Sequence, residues 1–144
     1  MSDGLQFARR IRTSPYFSRI EAHGVTGYSV YNHMILPKSF GMSVEEAYWH
    51  LNEHVQVWDV SVQRQVEISG PDAGRLVQWL TPRDLRAAQG GRCYYIPVVD
   101  ARGGMLNDPV LMKLADDRYW LSVADSDLLL YVNCLLYTSP SPRD

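Results

Sequence analysis

The chain has 144 residues, 46% of them apolar and 21% charged, and a formal net charge of −2. Those values describe a globular domain with a core of its own, and they exclude the basic footprint of a protein that binds nucleic acid or an anionic membrane. Two cysteines, Cys93 and Cys134, give neither a disulfide framework nor metal-ligand spacing, and the longest apolar run, around 128–132, is too short to span a bilayer.

Residues 1–15 are basic and weakly patterned, an N-terminal extension in which a short helix ends before Pro15. Arg9, Arg10 and Arg12 are not followed by the apolar run of a secretory signal, so the default compartment is a reducing cytoplasm. Residues 16–42 hold Tyr16, Phe17, Gly24, Gly27, Tyr28, Tyr31, Pro37, Phe40 and Gly41 without a period. A stretch of that length reads as an irregular, functional segment. Ser43 and Glu46 form a capping box. Val44, Ala47, Leu51, Val55 and Trp58 then recur at helical spacing and predict one buried stripe. From Asp59 the period becomes two, with Val60, Val62, Val66 and Ile68 on one face and Ser61, Gln63, Gln65 and Glu67 on the other. Arg64 interrupts the apolar row.

Gly70-Pro71-Asp72 ends that strand and opens a helix. Its inward side is Leu76, Val77 and Leu80, and Thr81-Pro82 stops it. Residues 92–99 and 106–115 read as the two strands of a hairpin around Asp100-Ala101-Arg102-Gly103-Gly104. A third strand covers 119–124, and Asp125-Ser126-Asp127 caps a helix from Leu128. The expected class is α+β, a largely antiparallel sheet with helices packed on one face. Residues 134–144 have no helical or strand period, contain two Ser-Pro steps and look like a translated frame of a transposase-type sequencing adaptor. The natural chain is therefore expected to be interrupted near Asn133.

Candidate chemistry begins at Asp108. If 106–115 is one strand, Leu106, Asp108, Val110, Met112 and Leu114 share a face. A carboxylate facing a core is costly unless paired or solvated, which leaves two readings, an acid with a chemical task or an acid fringing solvent at a strand entrance. His50-Leu51-Asn52-Glu53-His54 has the spacing of a zinc peptidase motif. The histidines flank the apolar stripe and no third ligand follows, so a solvated helix face is expected and no metal. No nucleophile elbow, P-loop or G-x-G-x-x-G run occurs. Most of the aromatic residues read as core; a few from the irregular segment can wall a pocket for a flat ring or a cation.

The runs Trp58-Asp59-Val60-Ser61, Val66-Glu67-Ile68-Ser69-Gly70-Pro71-Asp72-Ala73, Gly103-Gly104-Met105-Leu106-Asn107-Asp108 and Tyr119-Trp120-Leu121-Ser122-Val123-Ala124 follow one another as in the folate-dependent aminomethyltransferases, the T-protein of the glycine cleavage system and its relatives. The resemblance covers 16–133, the N-terminal part of a folate-binding domain in a protein more than twice as long. Tyr31-Asn32-His33-Met34-Ile35-Leu36-Pro37, Val62-Gln63-Arg64-Gln65-Val66-Glu67, Thr81-Pro82-Arg83-Asp84-Leu85 and Asn107-Asp108-Pro109 are more similar to the dimethylsulfoniopropionate demethylase branch.

That branch implies methyl transfer from a sulfonium to tetrahydrofolate, giving methylthiopropionate and 5-methyltetrahydrofolate. Asp108 matches the second acid of the family's pair and is the expected catalytic residue beside the pterin N5. Asn107 stands where the first acid belongs. Asn107, Gln63, Tyr95, Tyr31, Tyr28 and Met105 are the expected folate- or substrate-binding set, with the tyrosines as hosts for the sulfonium. Tetrahydrofolate is the expected cofactor and a small methyl donor the partner; a homodimer is admitted, and neither nucleic acid nor membrane is involved. The alternatives are an aminomethyltransferase or methylated-glycine demethylase, and a non-enzymatic folate-binding relative. The segment alone is expected to be inactive and to expose apolar surface.

Overall fold

The computed structural model describes residues 10–138. The elements are α1 (Phe17–Glu21), β1 (Gly27–Tyr31), β2 (Met34–Ser39), α2 (Val44–Glu53), β3 (Arg64–Ser69), α3 (Ala73–Leu80), β4 (Cys93–Tyr95), β5 (Val98–Val99), β6 (Met105–Asn107), β7 (Val110–Ala115), β8 (Arg118–Val123) and α4 (Leu128–Thr138). They divide into two units, Met1–Val62 and Gln63–Asp144. No helix among the described residues is long and apolar enough to cross a membrane.

In the first unit, residues 16–42 are ordered rather than irregular. β1 and β2 form an antiparallel hairpin, turned by Asn32 and His33 at φ 50° and 59°. Two successive left-handed residues suit the twist of a tight hairpin, and Asn tolerates that region. Asn32 is buried and its Nδ2 donates to Val62 O at 3.0 Å. Residues 10–15 contain no helix; Arg12 instead bridges β2 at Met34. The remainder of the expected N-terminal helix lies outside the described residues.

Two expectations fail in this unit. The capping box forms, with Ser43 N donating to Glu46 Oε2 (2.8 Å) and Glu46 N to Ser43 Oγ (3.2 Å). Yet α2 buries nothing and ends at Glu53, before Val55 and Trp58 of the expected stripe: Leu51 is 54% exposed and, beyond the helix, Val55 89%. Helical spacing specifies a face that needs a partner, and no described segment supplies one. Second, the strand expected from Asp59 starts at Arg64. Asp59 Oδ1 accepts from Ser61 N (2.9 Å) and Ser61 Oγ (2.5 Å), and Oδ2 accepts from the buried Ser14 Oγ. Such local side-chain bonds compete with a ladder; they turn the chain at 59–61 and leave Val60 exposed.

The second unit is α+β. Its four-stranded sheet has the order β3-β8-β7-β4, every pair antiparallel, with β5-β6 as a separate ribbon. Val66, Ile68, Leu111, Leu121 and Val123 from the sheet meet Val77 and Leu80 of α3 and Leu128 and Val132 of α4 in one core. The helices cover that face and leave the other open.

The two long expected hairpin strands are each broken once. Pro97 separates β4 from β5, and Asp108-Pro109 separates β6 from β7. Proline has no N–H for the ladder, and the breaks oppose each other, with Ile96 N donating to Pro109 O at 3.1 Å. At the hairpin tip Gly103 takes φ 81° and Asp100 Oδ1 accepts from Arg102 N and Gly104 N, both 2.8 Å. α4 runs through Asn133 to Thr138, with Leu135 against the core, across part of the segment read as adaptor-derived. Leucine is a strong helix former, and that sequence carries a helix without a clear period.

Candidate functional site

Asp108 lies on the face opposite to the one expected, and the alternation runs unchanged through the break at Asp108-Pro109. Asn107, Pro109 and Leu111 are buried, whereas Asp108, Val110 and Met112 are half-buried and Leu106 and Leu114 exposed. Apolar residues occur in both rows, so alternation alone did not select the inward one. The core instead took the residue that could satisfy itself inside. Asn107 is 5% exposed; its Nδ2 donates to Ser126 Oγ at 2.7 Å and its Oδ1 accepts from Ala124 N at 3.1 Å. Both ends of the amide tie β6 to the segment that leads into α4.

Asp108 lies on the open side with Tyr95. The Tyr95 hydroxyl donates to Asp108 Oδ2. This bond, then burial and the negative charge, raise the Tyr95 phenol above its usual 10.0, so it stays a donor at neutral pH. Asp108 Oδ1 has no hydrogen-bond partner among the described residues. One carboxylate oxygen is anchored and the other is available as an acceptor.

The same row continues across the sheet. Tyr95 stands opposite Val110, Val110 opposite Ser122, and Ser122 opposite Gln65. Ser122 Oγ donates to Gln63 Oε1 (3.2 Å) and accepts from Gln65 Nε2 (2.9 Å). Gln63 thus reaches this face through Ser122, which the sequence reading did not single out. In the next row Glu67 accepts from Arg118 Nη2 (2.9 Å), Arg118 Nε (3.1 Å) and Trp120 Nε1 (2.5 Å). Those bonds, the arginine's first, hold its carboxyl below the usual range. Half-buried Val110, Met112 and Trp120 lie between these polar groups on the face opposite the helices.

Met105 is 68% exposed on β6, opposite Val99. Tyr28 and Tyr31 belong to the first unit. Tyr28 donates to Glu21 Oε1 (3.3 Å) and its ring lies 5.9 Å from that of Phe17; Tyr31 closes β1 opposite Met34. The His50 and His54 ring centroids lie 4.7 Å apart with the rings tilted by 48°, and His50 Nδ1 pairs with Gln56 Nε2 at 2.6 Å. No group of three or more His, Cys, Asp or Glu among the described residues is arranged to hold a metal. Arg83, whose Nη1 donates to Tyr95 O at 2.6 Å, also went unrecognised as part of this site. It stood inside a motif quoted only for its likeness, and no periodicity links positions twelve apart across a loop.

A sheet covered by helices on one side carries an anchored carboxylate and an edge tyrosine on the other. The chain belongs to the GCVT N-terminal domain family, which matches it over residues 16–132. It is 56% identical over 124 residues to the dimethylsulfoniopropionate demethylase DmdA of Ruegeria pomeroyi, a match spanning 86% of this chain and 34% of that protein. It is 33% identical over 108 residues to a probable aminomethyltransferase of Halobacterium salinarum, spanning 74% of this chain and 29% of that protein. The crystal structure of glycine cleavage system aminomethyltransferase T from Bartonella henselae has the same fold, with a TM-score of 0.72 at 23% identity over 88% of this chain and 35% of that one. The chain therefore spans about a third of the length of these curated relatives.

Proposed function

We propose that this chain is the folate-binding part of a methyltransferase that moves a methyl group from the sulfonium of dimethylsulfoniopropionate to tetrahydrofolate. The observation that carries the reading is the Asp108 carboxylate, anchored through Oδ2 by Tyr95 with Oδ1 available on the open sheet face. The 56% identity to a dimethylsulfoniopropionate demethylase supports the donor. Tetrahydrofolate supplies, when bound, a nucleophilic N5 amine. Asp108 Oδ1 accepts the amine's hydrogen and offsets the positive charge that grows there as the methyl arrives. The carbon–sulfur bond of the donor would break with its electron pair on sulfur, which leaves as a neutral thioether, and Asp108 or water would take up the proton released by the acceptor amine. A sulfonium is already activated, so alignment and electrostatics suffice. The exposed Tyr95 ring offers a π face to the cationic donor.

Asn107 favours this reading over aminomethyl transfer. It leaves the turn with one carboxylate, and its amide is committed inside the domain. The 33% identity to a probable aminomethyltransferase keeps that reaction as the second reading. The test is a complete protein carrying this domain, supplied with tetrahydrofolate and either dimethylsulfoniopropionate or dimethylglycine. Formation of 5-methyltetrahydrofolate from the sulfonium, lost by at least a hundredfold in Asp108→Asn, is expected. Turnover of dimethylglycine alone refutes the proposal.

A further inference from the structure

Arg83 follows α3 in a loop gripped on both sides. Gln78 Nε2 donates to Arg83 O (2.8 Å) and Thr81 O (3.4 Å), Gln78 Oε1 accepts from Leu85 N (2.8 Å), and Thr81 Oγ1 accepts from Arg83 N (3.2 Å). The adjacent acid is already taken. Arg86 forks Asp84 through Nε (3.0 Å) and Nη2 (2.7 Å), which holds the Asp84 carboxyl at about 2. No carboxylate among the described residues pairs with Arg83. Its guanidinium turns to β4 instead. Nη1 donates to Tyr95 O at 2.6 Å, and Cζ lies 5.7 Å from the centroid of the Tyr94 ring, whose hydroxyl accepts from Gln89 N at 2.7 Å. One cation thus holds both tyrosines, Tyr94 by its face and Tyr95 by its backbone.

That grip falls at a strand end whose next residue, the buried Ile96, donates to Pro109 O at 3.1 Å. β4 is a three-residue edge strand, paired only with β7 and ending at the Pro97 break. Ends of short edge strands open at small cost. The Tyr95 hydroxyl reaches Asp108 only while this end keeps its place, and a charge-assisted bond to a carbonyl is stronger than a neutral one. We propose that Arg83 is a positioning residue: by latching the end of β4 it fixes the Tyr95 hydroxyl on Asp108. Its effect on turnover rests on the function proposed above for Asp108; the latch itself does not.

The test uses this chain with its tyrosines labelled at Cζ, the Tyr95 resonance being assigned by its loss in Tyr95→Phe. The Tyr95 titration midpoint is followed by NMR in the unaltered chain and in Arg83→Met, Arg83→Lys and Asp108→Asn. Charge alone and the latch predict opposite signs. Deleting a nearby cation raises a phenol's midpoint. Releasing the latch lowers it, because the bond to Asp108 is what holds it up. The expected result is a fall in Arg83→Met below the unaltered chain and toward the Asp108→Asn value, which also loses the charge, with Arg83→Lys, which keeps a charged donor, staying near the unaltered chain. Arg83 is exposed, so the fold survives the change and the amide spectrum verifies it. An unchanged or raised midpoint in Arg83→Met overturns the latch.

In a complete protein with methyltransferase activity, Arg83→Met is expected to lower kcat about tenfold with KM for the donor within about twofold. A lowered midpoint with unchanged kcat overturns the positioning role. A lowered midpoint where the unaltered complete protein shows no methyl transfer upholds the latch and refutes the proposed function.

Discussion

Replacing Asn107 by alanine is the most direct test of the bracket beneath the site. The substitution removes the bond to Ser126 Oγ and strands the Ala124 amide that Oδ1 had accepted. Each neutral hydrogen bond is worth about 1 kcal/mol net, and a donor left without a partner costs about 1–3 kcal/mol more when buried. Ala124 is only half-buried, which places this second contribution at its low end. The expected destabilisation is therefore about 2–3 kcal/mol. Ser126→Ala leaves the buried Asn107 Nδ2 without that acceptor and should cost about 1–3 kcal/mol. Because Asn107→Ala has already broken that bond, adding Ser126→Ala should cost little more, giving a coupling close to the Ser126→Ala cost in the double-mutant cycle. The assay is native-state hydrogen exchange at the amides of β7 and β8, which reports opening of this unit. An Asn107→Ala loss below about 0.5 kcal/mol, or additive single effects, refutes the assignment.

Three further outcomes are expected. Gly74→Ala should destabilise by about 1 kcal/mol despite alanine's better helix propensity, because the new Cβ would meet Tyr119 Oη at 3.1 Å while that hydroxyl is tied to Asp116 O. Thermal melts of Gly74→Ala with and without Tyr119→Phe check this, and relief by Tyr119→Phe is expected. Leu51→Ser and Val55→Ser should each change stability by less than about 0.5 kcal/mol, since both side chains are exposed; urea titration showing a loss of 2 kcal/mol or more would mean that the segment 44–55 has a partner. At Asp59 burial pulls the carboxyl upward, but the bonds from Ser14 and Ser61 outweigh it and hold the group below its usual 3.8. A depressed folded value means that its contribution is whole above the unfolded pKa and is lost as pH falls through the folded one. Acid titration of Asp59→Asn should thus lack part of the stability loss that the unaltered chain shows below about pH 4, and identical acid profiles would contradict the assignment.

Where a sequence pattern and a local bond agreed, the reading held. The Ser43 cap, the Val77 and Leu80 face of α3, the hairpin glycines and the strand now β8 are of this kind. Val66 and Ile68 alternate into the core as expected, but the same alternation at Val60 was overridden by a carboxylate that offered the backbone a turn. The hairpin of β1 and β2 went unseen because its turn is Asn32-His33, not a glycine pair. For α2 the period was real and its partner missing. Of the site, Asp108 and Tyr95 were legible as residues, but their pairing was not, since it joins positions thirteen apart across a broken hairpin.

The pair Asn107-Asp108 shows why the facing of a residue matters more than its identity alone. Adjacent positions in extended chain face opposite ways, so only one of the two can present a side chain to the open sheet face. The core needed a group able to accept from Ala124 N and bond Ser126, and Asn107 does both without charge. An acid at 107 would meet the same two partners, not the open face. The difference between amide and acid there acts through the buried bracket and through field, while contact with whatever lies on the open face falls to Asp108. Asn107→Asp should consequently leave the Tyr95–Asp108 bond in place and change the stability of β6 first, with donor selectivity shifting only as far as an added interior charge can shift it. A switch of donor with no change in stability would show that position 107 reaches the ligand directly.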